Sequence, residues 1–134
     1  HVFIGLSHRT NESGAAQLAA WLAGQGYRSS TVDVRGLSSI LHLKSGLSWL
    51  GDGRVLLIAE LAGHPAFAGF ERMVIDADES YAANAIRVND HMLIASGYPK
   101  IEQRPRALGY RVLRLDMGEF AKMDGGLSCL SLRF

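Results

Sequence analysis

MLIASGYPKIEQRPRALGYRVLRLDM, residues 92–117, contains the pattern that decides the fold of this 134-residue chain. An apolar run is followed by a Gly-Tyr-Pro turn, a polar helical stretch and a second apolar run, which predicts strand, loop, helix and strand. FIGLS at 3–7 with GQGYRSSTVDV at 24–34 repeats this order, and LLIAE at 56–60 with FERMVIDAD at 70–78 gives a third copy. The sequence therefore predicts an α+β protein built from about three similar units.

Hairpin turns lead into the second and third units, at GDGR (51–54) and at Asn89-Asp90. Each unit is therefore ββαβ-like, and such units must stack beside one another to bury a sheet face. Three units of a circular arrangement would leave two open edges, which are a liability. Because the first residue, His1, is not Met, we expect a further segment upstream of this chain.

The first helix is predicted over GAAQLAAWLAG, residues 14–24, with Asn11 or Ser13 as its N-cap. A short helix is predicted over 65–70, and the chain is predicted to end in a strand over 128–132. Pro65 suits the first turn of a helix. These elements place the polar loops of the chain at strand ends.

The composition indicates a globular protein and excludes several classes of function. Hydrophobic residues make up 48% and charged residues 20% of the chain, as in proteins with a packed core. The formal net charge is +1, so nothing electrostatic favours nucleic acid or an anionic membrane as a partner. No apolar run approaches the ~20 residues of a membrane span. The single cysteine excludes an internal disulfide and fits a cytoplasmic compartment.

Cys129, the only cysteine, lies in DGGLSCLSLRF, residues 124–134. Lone cysteines are often buried, so filling the core is the plainer interpretation. A catalytic thiol needs a base or an electropositive partner and a loop that exposes the sulfur. The glycine pair at Gly125 and Gly126 can provide that loop, so both interpretations stay open.

Two residues could act with such a thiol. His42 is flanked by leucines in ILHLKSG, and we place it on an apolar strand, where a histidine is either a hydrogen-bonded core residue or a catalytic base. Arg9, in SHRTN, follows a strand and precedes a helix. It could bind a carboxylate through two hydrogen bonds, or it could be an ordinary surface arginine. His64 and His91 are predicted in exposed turns.

Other kinds of site have weak support in the sequence. Asp78 and Glu79 are expected to be solvated or to cap a helix rather than to form an acid/base pair. The histidines and the cysteine lack the short spacings of zinc sites. GDG at 51–53 is a turn, since no phosphate-binding glycine motif is present.

Taken together, six stretches resemble the C-terminal half of the bacterial dimethylarginine dimethylaminohydrolases. They are FIGLSHRTN and GAAQL within 3–18, LHLKSGLSWL at 41–50, ESYAANAIRVND at 79–90, SGYPK at 96–100, LGYRV at 108–112 and DGGLSCLSLRF at 124–134. The resemblance implies the pentein, or amidinotransferase-like, fold, a propeller of five ββαβ units. Residues 1–134 would then be the C-terminal part of a pentein catalytic domain and supply about three of the units.

The resemblance also implies roles for three residues. Cys129 would be the nucleophile, His42 the general acid/base, and Arg9 the ligand of the substrate's α-carboxylate. The expected reaction converts an Nω-methylated arginine, such as asymmetric dimethylarginine, to citrulline and dimethylamine through a covalent thiouronium on the cysteine. No cofactor or metal is expected.

The chain departs from the family pattern in one respect. Family members bind the guanidinium with carboxylates that come mostly from the N-terminal half, and a buried cation needs such partners. We therefore expect a missing N-terminal half, or self-association, to complete the site. One alternative is a non-catalytic truncated pentein module that acts in assembly or binding. The other is a related arginine deiminase or amidinotransferase.

Overall fold

Strands and helices alternate along the chain in the computed structural model, which describes residues 1–132. The strands of this part are Val2–Leu6 (β1), Ser29–Asp33 (β2), Leu47–Gly51 (β3), Arg54–Ile58 (β4), Glu71–Ile75 (β5), Ile86–Val88 (β6), His91–Ala95 (β7) and Arg111–Leu115 (β8). The α-helices are Glu12–Gly24 (α1), Pro99–Ala107 (α2) and Gly118–Ala121 (α3). Short 3₁₀ helices occupy Leu43–Ser45, Ala59–Leu61, Pro65–Phe67, Ala77–Ala83 and Ser128–Leu130. The predicted mixture of α and β structure is confirmed.

The strands form three separate sheets. In the second sheet β3 and β4 form an antiparallel hairpin, and β5 lies parallel to β4. The third sheet repeats this plan, with β6 and β7 as the hairpin and β8 parallel to β7. The first sheet contains the parallel pair β1 and β2. Residues 1–132 form no closed barrel, so the five-unit propeller and the number of ββαβ units stay predictions.

The connections between parallel strands differ among the sheets. α1 joins β1 to β2, and α2 joins β7 to β8. The connection from β4 to β5 contains only two 3₁₀ turns, so the helix predicted over 65–70 is shorter than expected and spans Pro65–Phe67. Gly63 and Gly69 flank this turn, and glycine is unfavourable in a helix interior.

The start of α1 agrees with the sequence. The side chain of Asn11 accepts a hydrogen bond from the backbone N–H of Gly14 at 2.9 Å, and this satisfies one donor that the first turn leaves free. Leu22 of this helix packs with Ile4 and Leu6 of β1. The loop between β1 and α1, which contains Arg9, is therefore fixed at both ends.

β4 lies at the centre of the core. Its residues from Val55 to Ile58 are each no more than 1% exposed, and successive strand residues point to opposite faces. Both faces of this strand are thus covered. The core supports the neighbouring strand β3, whose Ser48 contacts the segment beside the candidate site.

The predicted terminal strand is wrong over the residues described. Ser128–Leu130 form a 3₁₀ turn, in which the carbonyl of Gly126 accepts hydrogen bonds from the N–H groups of Cys129 and Leu130. The N–H of Ser128 is bound by a side chain. The N–H groups of Ser128, Cys129 and Leu130 thus already have acceptors in the turn or on that side chain, and they cannot also donate to a neighbouring strand. Residues 133 and 134 lie outside the described residues.

The predicted position of His42 on a strand is also wrong. His42 precedes the 3₁₀ turn Leu43–Ser45, and its carbonyl accepts a hydrogen bond from the N–H of Ser45 at 2.9 Å. Leu43 packs against β1 so closely that a Cβ on Gly5 would lie 2.7 Å from the Leu43 Cβ. This contact turns the chain, and the β ladder begins only at Leu47.

Glu79 caps α2, as the sequence indicated it could. Its carboxylate is 4% exposed and accepts hydrogen bonds from the N–H groups of Lys100 and Ile101 at 2.9 and 2.7 Å. We expect Glu79→Ala to lower the free energy of unfolding by about 1–3 kcal/mol, because the buried N–H of Ile101 and the partly buried N–H of Lys100 lose their acceptor. Urea unfolding measures this change. Glu119→Ala is the control, since that exposed residue pairs only with Lys122, and an equal loss in both variants would contradict the capping role.

Candidate active site

The turn that carries Cys129 follows a sharp change of chain direction. Asp124 has a φ of 55°, in the left-handed region, and the glycine pair comes directly after it. The N–H of Cys129 donates to the carbonyl of Gly126 at 3.0 Å. The thiol of Cys129 is free and exposed, so it does not fill the core. Of the two interpretations of this cysteine, the structure supports the exposed thiol.

The 3₁₀ helix Ala77–Ala83 and the residue after it fix this turn from the side. The hydroxyl of Tyr81 donates a hydrogen bond to the carbonyl of Gly125 at 2.6 Å. Asn84, only 5% exposed, accepts a hydrogen bond from the N–H of Ser128 at 2.9 Å, and its Nδ2 lies 3.8 Å from Sγ of Cys129. The cysteine is therefore exposed on a turn whose backbone is bound at two points.

A cavity of about 260 Å³ lies beside the turn. Its lining comprises Ser38, Ser39, Ile40, Leu41, Ser45, Ser80, Tyr81, Asn84, Ala121, Asp124, Gly125 and Gly126. Asp124 is the one carboxylate in this lining, as far as the described residues show. Burial raises the pKa of the Tyr81 phenol, with smaller contributions in the same direction from Tyr98 and Cys129. The cavity thus combines hydroxyl groups, an amide and one negative charge.

His42 lies close in sequence to this cavity but faces a different one. Leu41 lines the cavity beside Cys129, whereas His42 lines a second cavity of about 530 Å³ along β1 and β3. His42 is half-buried. Within residues 1–132, no hydrogen bond joins His42 to Cys129. The predicted acid/base thus lines a different cavity from the one that borders the turn of the predicted nucleophile.

Arg9 makes no hydrogen bond to His42 or Cys129 within residues 1–132, and its loop borders the cavity that His42 lines, through Ser7 and Thr10. It is exposed in the loop after β1, where its N–H donates to the hydroxyl of Ser7 at 3.1 Å. A pair of backbone hydrogen bonds between Ser7 and Thr10 closes this loop. The guanidinium lines a surface depression with His8 and Asn11. The described residues thus leave this guanidinium accessible to a ligand.

Three residues that line the cavity were not predicted as site residues from the sequence: Asp124, Tyr81 and Asn84. A signal for Asn84 existed, because it is a single polar residue within the small apolar run AANA, and a buried polar side chain requires hydrogen-bond partners. No comparable signal marked Tyr81, since its partner Gly125 lies 44 residues away in the sequence.

The described part of the chain shows neither a cluster of metal ligands nor a helix that could span a membrane. No group of three or more His, Cys, Asp or Glu side chains is arranged to bind a metal ion. None of the helices there combines the length and the apolar character that crossing a membrane would require.

Comparison with known proteins finds close relatives of one kind. No protein-family model matches the chain. A dimethylarginine dimethylaminohydrolase of Pseudomonas aeruginosa is 43% identical over 134 residues, which is all of this chain and 52% of that protein. The chain is a homologue of the dimethylarginine dimethylaminohydrolases. It spans about half the length of the curated relatives that it matches.

Solved structures of dimethylarginine dimethylaminohydrolases share this fold. The Pseudomonas aeruginosa enzyme, as a cysteine-to-serine mutant complexed with citrulline, superposes with a TM-score of 0.92 at 42% identity over 98% of this chain and 51% of that one. A histidine-to-glycine variant of a dimethylarginine dimethylaminohydrolase, as an adduct with S-methyl-L-thiocitrulline, gives a TM-score of 0.91 at 42% identity, with the same shares covered. The predicted resemblance and the predicted fold family are confirmed.

Proposed function

We propose that this chain supplies the nucleophile and the general acid/base for hydrolysis of Nω-methylated arginine to citrulline and dimethylamine. The observation that carries the proposal is the exposed thiol of Cys129 beside a cavity, in a chain that is 43% identical to a dimethylarginine dimethylaminohydrolase. Asp124 adds support, because a guanidinium is cationic and the cavity lining offers this carboxylate to it.

Two relatives support the pairing of Cys129 with His42. One solved structure is a cysteine-to-serine mutant with citrulline, and another is a histidine-to-glycine variant in an adduct with S-methyl-L-thiocitrulline. By their numbering, the substituted cysteine and histidine lie 87 positions apart, and so do His42 and Cys129 here. We therefore propose His42 as the general acid/base that acts with the Cys129 nucleophile.

The proposed reaction has two half-reactions. The thiolate of Cys129 attacks the guanidinium carbon, and a C–S bond forms as the C–N bond to dimethylamine breaks, with His42 giving a proton to the leaving amine. The product is a covalent thiouronium. His42, now neutral, then takes one proton from the water that attacks the same carbon. As the C–S bond breaks, the second proton of that water passes to the solvent or to the released dimethylamine, citrulline leaves and the thiolate is restored. One histidine can serve both steps, because each step restores the protonation state that the other needs.

The chain is proposed to contribute part of a larger site. Its residues 1–134 would form the C-terminal part of a pentein catalytic domain, with about three of the five ββαβ units of a propeller. The remaining carboxylates that bind the guanidinium would come from the part of the relatives that this chain does not match, or from self-association. The cytoplasmic location expected from the single cysteine stays a prediction.

The test is citrulline formation from asymmetric dimethylarginine. It is measured for the 134-residue chain and for a chimera in which this chain replaces the segment that it matches in the Pseudomonas aeruginosa relative. We expect turnover by the chimera, and turnover by the chain alone only if self-association completes the site. A folded chimera that forms no citrulline would contradict the proposed function.

Arg9 is proposed to bind the α-carboxylate of the substrate. We expect Arg9→Ala in the chimera to raise KM roughly 10- to 100-fold with a smaller change in kcat, because a charged hydrogen bond is lost in ground state and transition state alike. Arg28→Ala is the matched control, since Arg28 is also exposed but precedes β2, at the opposite end of the first sheet. An unchanged KM in Arg9→Ala would mean that Arg9 does not bind the substrate and is an ordinary surface arginine.

A further inference from the structure

The side chain of Asn84 has both of its partners in the turn that carries Cys129. Its Oδ1 accepts from the N–H of Ser128 at 2.9 Å, and its Nδ2 lies 3.8 Å from Sγ of Cys129. A backbone N–H can only donate, so the amide oxygen must face Ser128 and the NH₂ group must face the sulfur. Asn84 is 5% exposed, which leaves the amide little freedom to turn away.

We infer that Asn84 is a positioning residue for the nucleophile: it fixes the turn through Ser128 and directs an N–H group at the sulfur of Cys129. This inference rests on the proposed function, in which Cys129 reacts as a thiolate. A donor aimed at sulfur is weak in a neutral thiol but favours the anion, because hydrogen bonding to the charged form stabilises it.

The absence of a side chain at Gly126 leaves room for the amide of Asn84 beside the sulfur of Cys129. A Cβ at position 126 would lie 2.6 Å from Cγ of Asn84, closer than side-chain carbons approach other atoms in proteins. The carbonyl of Gly126 also accepts the N–H of Cys129. The second residue of the glycine pair is therefore needed for the contact between the asparagine and the cysteine, as well as for the turn.

The backbone on both sides of Asn84 is fixed from the core. The buried hydroxyl of Ser48, on β3, lies 2.6 Å from the carbonyl of Ala83 and accepts the N–H of Ala85 at 2.9 Å. These contacts connect the central sheet to the amide and, through it, to the sulfur. A side chain that only filled space would not need to be oriented from both directions.

The test uses Asn84→Asp in the 134-residue chain. Aspartate keeps an oxygen for Ser128 but replaces the donor that faces sulfur with an anionic oxygen. Alkylation by iodoacetamide is followed against pH, and every label reports Cys129 because the chain has no other cysteine. We expect the midpoint of the rate profile to rise by about 1–2 pH units, so that labelling at pH 7 slows about tenfold or more. Asn89→Asp is the control, since it makes the same change at an exposed hairpin turn.

Gly126→Ala tests the same contact from the other side if Asn84→Asp does not fold. Its methyl group occupies the place of the amide, and we expect the same direction of shift in a chain whose circular dichroism is unchanged. A folded variant of either kind with the wild-type profile would overturn the inference. The two proposals can fail separately: a shifted profile in a chimera that forms no citrulline rejects the hydrolase only, and normal turnover with an unshifted profile rejects the role of Asn84 only.

Discussion

Cys129→Ser is expected to lower citrulline formation at least about a thousandfold in the chimera while the fold stays intact. Displacement of dimethylamine from a resonance-stabilised guanidinium needs a strong nucleophile, and a serine hydroxyl at neutral pH is far less nucleophilic than a thiolate. The exposed position of the thiol predicts little structural cost, because the side chain is not part of the core. The measurement is citrulline release from asymmetric dimethylarginine, with the urea midpoint as the check on folding.

Leu130→Ala provides the matched control for this substitution. Leu130 is the next residue of the same turn and is 56% exposed, so its truncation should leave turnover within a few-fold of wild type. If Cys129→Ser retained turnover at a rate similar to that of Leu130→Ala, Cys129 would not be the nucleophile.

His42→Gly is expected to separate the two half-reactions. Capture of an activated substrate analogue, whose leaving group needs no proton, should still occur, because it requires only the thiolate. Hydrolysis of the resulting thiouronium should slow by about 10²–10⁴, the usual contribution of a general acid/base. Mass spectrometry of the chimera would show an adduct that accumulates on Cys129, and citrulline release would be lost.

His64→Gly is the control for the histidine, since His64 lies in another loop, where its side chain accepts a hydrogen bond from the N–H of Ala66 and its ring lies beside Phe67. Normal turnover in His42→Gly would refute the acid/base role. Failure of the adduct to form would instead mean that His42 is needed to generate the thiolate. The lack of a hydrogen bond between His42 and Cys129 within residues 1–132 makes this second outcome informative.

The strands could be predicted from the sequence because their apolar runs are short and bounded by glycine and polar residues. The apolar runs at 2–6 and 91–95 correspond to β1 and β7 residue for residue. The N-cap of α1 was also predictable, since capping depends on residues near in sequence. Local patterns therefore specify most of the secondary structure.

The errors arose where distant residues determine the local structure. The segment at 128–132 has a strand-like pattern, but Asn84, 44 residues from Ser128, binds the N–H that a ladder would use. The segment around His42 has alternating leucines, but Leu43 meets Gly5 of β1 and forms a turn. The residues near either segment in the sequence do not indicate these contacts. Tertiary contacts therefore override the local preference for a strand.

The candidate site was predictable only in part for the same reason. Cys129 stands out because it is unique, and the family resemblance gave His42 and Arg9 their roles. Asn84 becomes visible only once the fold brings it beside the sulfur. Its role depends on the missing side chain at Gly126, and the two positions can be recognised as a pair only in three dimensions.

The exposure of the one thiol has a consequence for handling the protein in air. Any disulfide that this chain forms must join two copies or a copy and a small thiol, since no second cysteine exists within it. Oxidation to a disulfide between two copies would consume the proposed nucleophile and create a covalent dimer in the same event. As the dimer forms, the fraction of Cys129 that a thiol reagent can label would fall, and a band of twice the mass would grow on a non-reducing gel. A reductant would reverse both changes.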